Sequence, residues 1–488
     1  MTAEVVAVVN AQEGTQTAEV VAAQVEVPQK VVEKEEKVVN VVEGDLKEPK
    51  DEESKPKTVE KSSSYKEESN FLSDLKEFER KALNEFKTKL EEAILGNNLF
   101  EKEEPTKKEA EEEKKEEDGK ESDEKKAEKE DDRKCEEEVE VEKDVSLWGV
   151  PLLPSKGDEG TDVVLLKFLR ARDFKVNDAF EMLKKTLKWR KESKIDSIVD
   201  EDFGTDLASI TYMSGFDHEG HPVCYNIFGV FESEELYQKT FGTEEKLSEF
   251  LRWRCQLMEK GIQKLNFKPG GVSSLLQVND LKNSPGPSKI RNVANKFVAI
   301  LQDNYPEMVA KNILINTPFW FYALNALLSP FLTQRAKSKF VVSRPSKVTE
   351  TLIKYIPIEE IPVQYGGFKR ENDSEFSTQD GAVSELTLKA GSTTTIEIPA
   401  LEVGNTLWWD LTVLGWEVSY KEEFVPNDEG SYTIIVQKGK RIGSHEGPIR
   451  NTFKNNEPGK VILTLENTSN KKKRVLYRYN NNNNNNSF

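Results

Sequence analysis

Three histidines, three cysteines and two short basic runs are the residues of this 488-residue chain with the most chemistry to offer. His218 and His221 flank Glu219-Gly220. H-E-G-H is not the H-E-x-x-H pattern of a zinc helix, and Gly220 stands where a hairpin must turn. His445 is far away in the chain, and no G-x-S-x-G or Walker A pattern accompanies any of the three. No catalytic residue, metal site or cofactor is therefore expected, and the chain reads as a non-enzyme. Cys135, Cys224 and Cys255 show no C-x-x-C spacing, which suits a reducing compartment. What is left is anion chemistry. Lys471, Lys472, Lys473 and Arg474 form one basic run, and Lys438, Lys440 and Arg441 another. Arg grips phosphate bidentately and Lys acts as a point charge. Near an anionic surface each such residue contributes about 1 kcal/mol. If both runs share a face they form a membrane-docking patch. A solvated hairpin tip is the plainer alternative.

The charge of the chain is unevenly placed. Residues 1–143 carry 44 acidic and 26 basic side chains, which accounts for the whole net charge of -18, and 144–488 hold 44 of each. A neutral body can approach an anionic membrane through a local basic patch, whereas the acidic arm opposes that approach within a Debye length. No domain is basic enough to suggest nucleic-acid binding. The start, MTAEVVAVVN, lacks the basic n-region of a secretory signal, and no window approaches a membrane span. A cytoplasmic protein, peripherally associated with membranes, is expected.

The elements that must position these groups follow from periodicity. Residues 1–65 and 101–143 lack the apolar content to offset chain entropy and read as disordered. Between them Phe71, Leu75, Phe78, Ala82, Phe86, Leu90 and Ile94 recur at helical spacing, with Ser69 or Asn70 to cap the start and Gly96 the end. This amphipathic helix near 71–95 packs onto the chain's own body, binds a partner, or lies on a membrane surface; its many Glu residues disfavour the last. Residues 161–195 carry a second helical pattern. From about 209 the period changes: Tyr212 to Phe216, the turn Asp217-His218-Glu219-Gly220, and Val223 to Ile227 form a strand–turn–strand unit. Further strands at 275–278, 312–316 and 339–343 alternate with helices, which implies an α/β unit with a largely parallel sheet.

One segment stands apart. After Asn316-Thr317-Pro318, the residues Phe319, Trp320, Phe321, Tyr322, Ala323, Leu324, Ala326, Leu327 and Leu328 follow with only Asn325 among them. A helix apolar on nearly every side is buried in a core, in a membrane or against an apolar ligand. About ten to fourteen residues fall short of the roughly twenty a bilayer span needs. Beyond Gly367 the pattern becomes period two, in runs such as Thr394-Ile396-Ile398, Trp408-Asp410-Thr412 and Val461-Leu463-Leu465. It reads as an all-β sandwich of roughly seven or eight short strands.

Tyr305-Pro306-Glu307, Ser338-Lys339-Phe340 and Ile361-Pro362-Val363-Gln364-Tyr365-Gly366-Gly367, in this order, together resemble the CRAL-TRIO lipid-transfer fold, and Phe168-Leu169-Arg170-Ala171-Arg172-Asp173-Phe174 resembles its helical N-terminal subdomain. Leu407-Trp408-Trp409-Asp410, Gly415-Trp416-Glu417-Val418 and the Lys471–Arg478 segment resemble a GOLD domain. An acidic arm, CRAL-TRIO and GOLD in succession is the arrangement of the plant patellins. The expected organisation is a disordered acidic arm over 1–143, a helical subdomain over 144–205, the α/β lipid-binding domain over 206–370, a GOLD β-sandwich over 375–479 and an Asn-rich tail over 480–488.

The resemblance implies a phospholipid or other hydrophobic ligand in a pocket. The pocket and gate positions are Tyr225, Phe319, Trp320, Phe321, Tyr322, Leu324, Leu327, Leu328 and Phe331. It also implies a headgroup set, here Arg172, Glu307 and Lys339. Two departures matter: Asp173 replaces the Lys that phosphatidylinositol binders of this fold pair with the Arg, and Leu275 stands where a Ser is expected. Both weaken recognition of the fold's usual lipids. Implied partners are phosphoinositide-containing membranes, with trafficking proteins through the GOLD domain and the 71–95 helix. The implied role is lipid binding and transfer in vesicle trafficking and cell-plate formation. The alternative is a membrane-recruited adaptor whose pocket only senses lipid.

Overall fold

The computed structural model describes residues 67–100, 144–204, 206–318, 321, 338–376, 382–415, 417–443 and 446–482. The expectations for 1–66, for 101–143 and for most of the apolar helix after Pro318 lie outside these residues.

The amphipathic pattern folds as α1 (Glu77–Leu95). Its stripe of Ala82, Leu83, Phe86, Leu90 and Ile94 is buried against α2 (Glu159–Ala171) and α3 (Val176–Glu192), in one core cluster. Phe86 meets Phe180 edge-on at 6.3 Å, and Lys87 pairs with Asp162 at 2.7 Å. This part of the apolar face is thus covered by the chain itself, the self-packing alternative, while Phe71 and Phe78 at its start stay 48% and 56% exposed, and the helical subdomain begins upstream of 144. The cap also differs from expectation. Ser69 and Asn70 lie ahead of a 3-10 turn (Leu72–Asp74), because Arg170 has recruited the Asn70 carbonyl oxygen Oδ1 and the Ser69 backbone carbonyl, both at 2.6 Å.

A short hairpin, β1 (Ser146–Leu147) and β2 (Val150–Pro151), precedes α2. The α/β domain is built on a five-stranded sheet: β3 (Thr211–Phe216), β4 (Pro222–Ile227), β5 (Leu275–Asp280), β6 (Val309–Ile315) and β7 (Phe340–Val342), side by side in that order. β3 is antiparallel to β4, and every other pair is parallel. The β3–β4 turn requires Gly220, whose φ of 90° suits glycine. One face of the sheet carries Val223, Tyr225, Leu276, Val278, Ile313 and Ile315 against α7 (Val348–Leu352), Ile356, Ile361 and Tyr365. The other face looks toward α4 (Glu234–Phe241), α5 (Glu244–Ile262) and α6 (Pro287–Asn304).

The C-terminal domain is the expected sandwich. One sheet orders β13 (Ile449–Lys454), β10 (Thr406–Leu414), β15 (Lys473–Asn482) and β8 (Ser384–Leu388); the other orders β12 (Ile434–Ile442), β11 (Val418–Pro426), β14 (Gly459–Glu466) and β9 (Thr393–Ala400). Trp409, Tyr420 and Phe424 fill its centre. The buried Glu422 carboxylate accepts from Tyr420 Oη at 2.6 Å, Asn451 Nδ2 at 2.6 Å and Trp409 Nε1 at 3.2 Å. Strand β15 runs on to Asn482, past the tail boundary expected at 479, because β10 supplies backbone partners as far as Thr406↔Asn482.

The two domains meet at a packed joint. Ile358 and Phe368 of the α/β unit bury against Leu414 and Leu476 of the sandwich. Beside them the buried Asp410 carboxylate accepts from Arg370 at 2.9 Å, Arg450 at 2.7 Å and Arg478 at 2.8 Å.

Candidate functional site

A cavity with an empty volume of ≈ 790 Å³, part of it open to solvent, lies between the sheet and helices α4 to α6. Phe228, Phe231, Phe241, Phe250 and Phe297 line it together with aliphatic side chains such as Leu281. Its floor is polar. Strand alternation turns Thr211, Asn226, Gln277 and Asn279 to this side. Arg254 comes down from α5, 7% exposed, with its guanidinium 4.4 Å from the Phe297 ring centroid. Its Nη1 donates to Asn226 Oδ1 at 2.7 Å and to Thr211 Oγ1. Because the guanidinium only donates, Asn226 must present oxygen to it and NH2 to Asn279, which accepts at 2.9 Å and donates in turn to Asn312. One oriented amide row thus crosses three strands from Arg254.

Sequence reasoning missed this row. A signal was present: each Asn interrupts an apolar strand, and Arg254 recurs with Leu247, Phe250 and Met258 at helical spacing on a buried face. Tyr225, expected at the pocket, is corrected: since Asn226 faces the cavity, Tyr225 must face away. Its ring is stacked between Tyr212 at 5.3 Å and Tyr365 at 5.5 Å on the far side of the sheet. Phe321 is buried with Leu281 and Leu314, packed with Phe228 beside the cavity. The other gate positions, Phe319, Trp320, Tyr322, Leu324, Leu327, Leu328 and Phe331, lie outside the described residues.

Two of the expected headgroup residues, Glu307 and Lys339, fall at the N-terminal edge of the parallel strands. Lys339 Nζ donates to Glu307 Oε2 at 2.8 Å, and the buried Lys167 of α2 donates to the Glu307 carbonyl at 2.7 Å. Burial draws the Lys167 ammonium down to about 8, against the pull of Glu67 and Glu307. Arg172 caps α2 and donates to the Ala171 carbonyl at 3.1 Å, while Asp173 is exposed. The structure therefore joins Glu307 to Lys339 and adds Lys167, with Arg172 bonded to its own helix end.

A strap, residues 67–70, is fastened over the same edge. Glu68 Oε2 meets Arg170 Nε at 2.9 Å, and the Phe71 ring rests on Gly270. Glu67 Oε1 accepts from Ser274, and its Oε2 lies 3.0 Å from His221 Nε2. Among the described residues no group of three or more His, Cys, Asp or Glu is disposed to hold an ion.

The two basic runs converge on one end of the sandwich. Lys473, buried, donates to the Glu417 carbonyl, and Arg441 reaches the Glu417 carboxylate at 3.7 Å. Arg474 is taken by Glu385 at 2.6 Å. Lys438, Lys440, Lys471 and Lys472 project outward as exposed side chains. His445 lies outside the described residues, and among those described no helix is long and apolar enough to cross a membrane.

An aromatic cavity on a mostly parallel sheet, fronted by a helical subdomain and joined to an antiparallel sandwich, defines the class: a lipid-binding CRAL-TRIO protein with a GOLD domain. Family models agree, matching the N-terminal CRAL/TRIO domain over residues 82–185, the CRAL/TRIO domain over 208–367 and a Patellin-1-like C-terminal GOLD domain over 389–473. The chain belongs to the patellin family. It is 55% identical to Patellin-4 of Arabidopsis thaliana over 98% of both chains, and 44% identical to Patellin-3 of the same plant over 87% of this chain and 79% of that one. The phosphatidylinositol transfer protein SFH5 of Kluyveromyces lactis is 29% identical over 49% of this chain and 80% of its own.

Proposed function

We propose that this protein is a non-enzymatic carrier that withdraws a phospholipid from one membrane and delivers it to another. The single observation that supports this most is the aromatic cavity with a polar floor, which matches the demand of an amphiphile for an apolar slot and a few fixed polar groups. The exposed lysines at the Glu417 end of the sandwich would hold the protein on phosphoinositide-bearing membrane, each adding about 1 kcal/mol. The Glu307–Lys339 pair with Lys167 is a second place for a phosphorylated headgroup, and Arg172 would join it only by leaving its helix cap. The setting is the cytoplasmic face of membranes engaged in vesicle trafficking and cell-plate formation. Transfer of a fluorescent phospholipid from donor to acceptor vesicles by the full chain tests the carrier reading. Transfer no faster than the spontaneous rate would refute it.

One observation favours a second reading, that of an adaptor. At the opposite end of the sandwich Tyr432 is 90%, Leu401 70% and Ile435 60% exposed, and Glu402, Asp428 and Glu457 border them. Apolar side chains in an acidic border suit a protein better than an anionic bilayer. Ile435→Asp would then abolish capture of a partner while leaving lipid transfer at the wild-type rate; loss of transfer instead would count against it.

A further inference from the structure

The amide row and Arg254 lie beneath a cavity in which most of the wall has no polar group to offer. Among the described lining residues Arg254 brings the one guanidinium, and it lies at the floor. A guanidinium keeps its charge at every accessible pH and presents donors in a fixed plane that fits carboxylate and phosphate oxygens. Arg254 is also held in place: Phe297 covers a face of it, and Thr211 and Asn226 fix Nη1. Its position in the middle of α5 keeps it from following a ligand outward. The oxygens of Thr211 and Asn226 are already directed at the guanidinium, and the amide row conducts hydrogen-bond polarity away from the cavity centre toward Asn312. A ligand meeting this floor is offered donors more readily than acceptors.

We propose that the cavity accepts its ligand head-inward, and that the head is a compact anion, a carboxylate or a phosphate monoester, on an acyl body lodged among Phe228, Phe231, Phe250 and Phe297. Arg254 is the specificity determinant, and Asn226 its positioning residue. This rests on the carrier reading, because a cavity closed to lipid has no use for the preference. It differs from that reading in naming the sign and the direction of the head. The Glu307–Lys339 pair sits at the N-terminal edge of the strands, so the two places are distinct and a head-inward anion does not need the strap to move.

The test uses the full chain and four probes presented from cyclodextrin: oleic acid, dioleoyl phosphatidic acid, and the neutral oleyl alcohol and dioleoylglycerol. Binding is read by native mass spectrometry and by quenching of tryptophan fluorescence. At least one anionic probe is expected to bind about tenfold or more tightly than its neutral counterpart. Arg254→Gln should remove that preference, so that anionic and neutral probes bind alike, while Arg254→Lys keeps it. Oleate without phosphatidate would assign a fatty acid, and phosphatidate without oleate a phospholipid. Equal binding of anionic and neutral probes by the wild-type protein overturns the proposal whatever the variants do, and it leaves the carrier reading standing. Failure of all four probes to bind, together with absence of vesicle transfer, overturns both.

Discussion

His221 and Glu67, 154 positions apart, are joined by a hydrogen bond of 3.0 Å, and the other nitrogen of the same imidazole lies 2.8 Å from Asp217 Oδ2. Burial alone would push the imidazole down, but the bonds to Asp217 and then Glu67 outweigh it and carry His221 up to about 9. Burial likewise opposes ionisation of Glu67, and the bonds from His221 and Ser274 overcome it, holding that carboxyl at about 2.

The sign of the pH dependence follows. Stability from the raised His221 is fully present below its ordinary value near 6.5 and is lost as pH rises through about 9. Stability from the depressed Glu67 is present above its ordinary value near 4.5 and is lost as pH falls through about 2. Glu67→Gln should therefore cost about 1 to 2 kcal/mol between pH 5 and 6.5, progressively less from there to about pH 9, and little beyond it. Paired thermal melts of wild type and variant across that range are the check; a constant difference at every pH would show that the strap is held by other contacts.

At the basic end of the sandwich the seven cations are not equivalent. Replacing Lys438, Lys440, Lys471 and Lys472 together by Ala should weaken sedimentation with phosphoinositide vesicles about a hundredfold or more and barely move the melting temperature. Lys473→Ala should do the reverse, since its ammonium serves the Glu417 carbonyl from a buried position. Vesicle binding that survives the fourfold variant would remove this end from the docking model.

Asp410 is wholly buried among Arg370, Arg450 and Arg478. Asp410→Ala leaves those charges without their shared acceptor and should destabilise the sandwich by about 3 to 5 kcal/mol. Calorimetry should then show the sandwich melting ahead of the α/β domain. A single unshifted transition would mean that Asp373, which also accepts from Arg450 and Arg478, suffices.

Phe86→Ala, at the centre of the α1–α2–α3 core, should cost about 3 to 5 kcal/mol. A variant as stable as wild type, read by urea titration of the full chain, would contradict the placement of α1 as part of the body.

Much of this architecture was legible because it is written in local periodicity. Leu275–Val278 and Ile313–Ile315 announce buried strands, and Phe86, Leu90 and Ile94 announce a helix face. The identity of whatever covers such a face is a long-range matter, so α1 could be placed as a helix but not as a member of the core. The Glu67–His221 bond was invisible for the same reason. Other misses were avoidable. Val475 is an inward position of β15, and period two then carries Lys473 inward as well, out of the basic run. The same alternation that hides Val223 and Tyr225 on one face sends Asn226 to the cavity, so the polar floor could have been read from the strand by counting parity rather than hydrophobicity.

The joint built from Phe368, Leu414, Leu476 and the Asp410 carboxylate has a mechanical meaning. A loose tether would let the cargo-bearing unit tumble after the sandwich had landed, and each landing would present the lipid opening at a random angle. Here the seam is packed with apolar side chains and cross-braced by arginines, so on the proposed docking the two domains would land as one body. Whichever flank the sandwich laid on a bilayer, the bearing of the cavity would then be decided in advance, and exchange would depend on how the protein touches down rather than on how it searches afterwards.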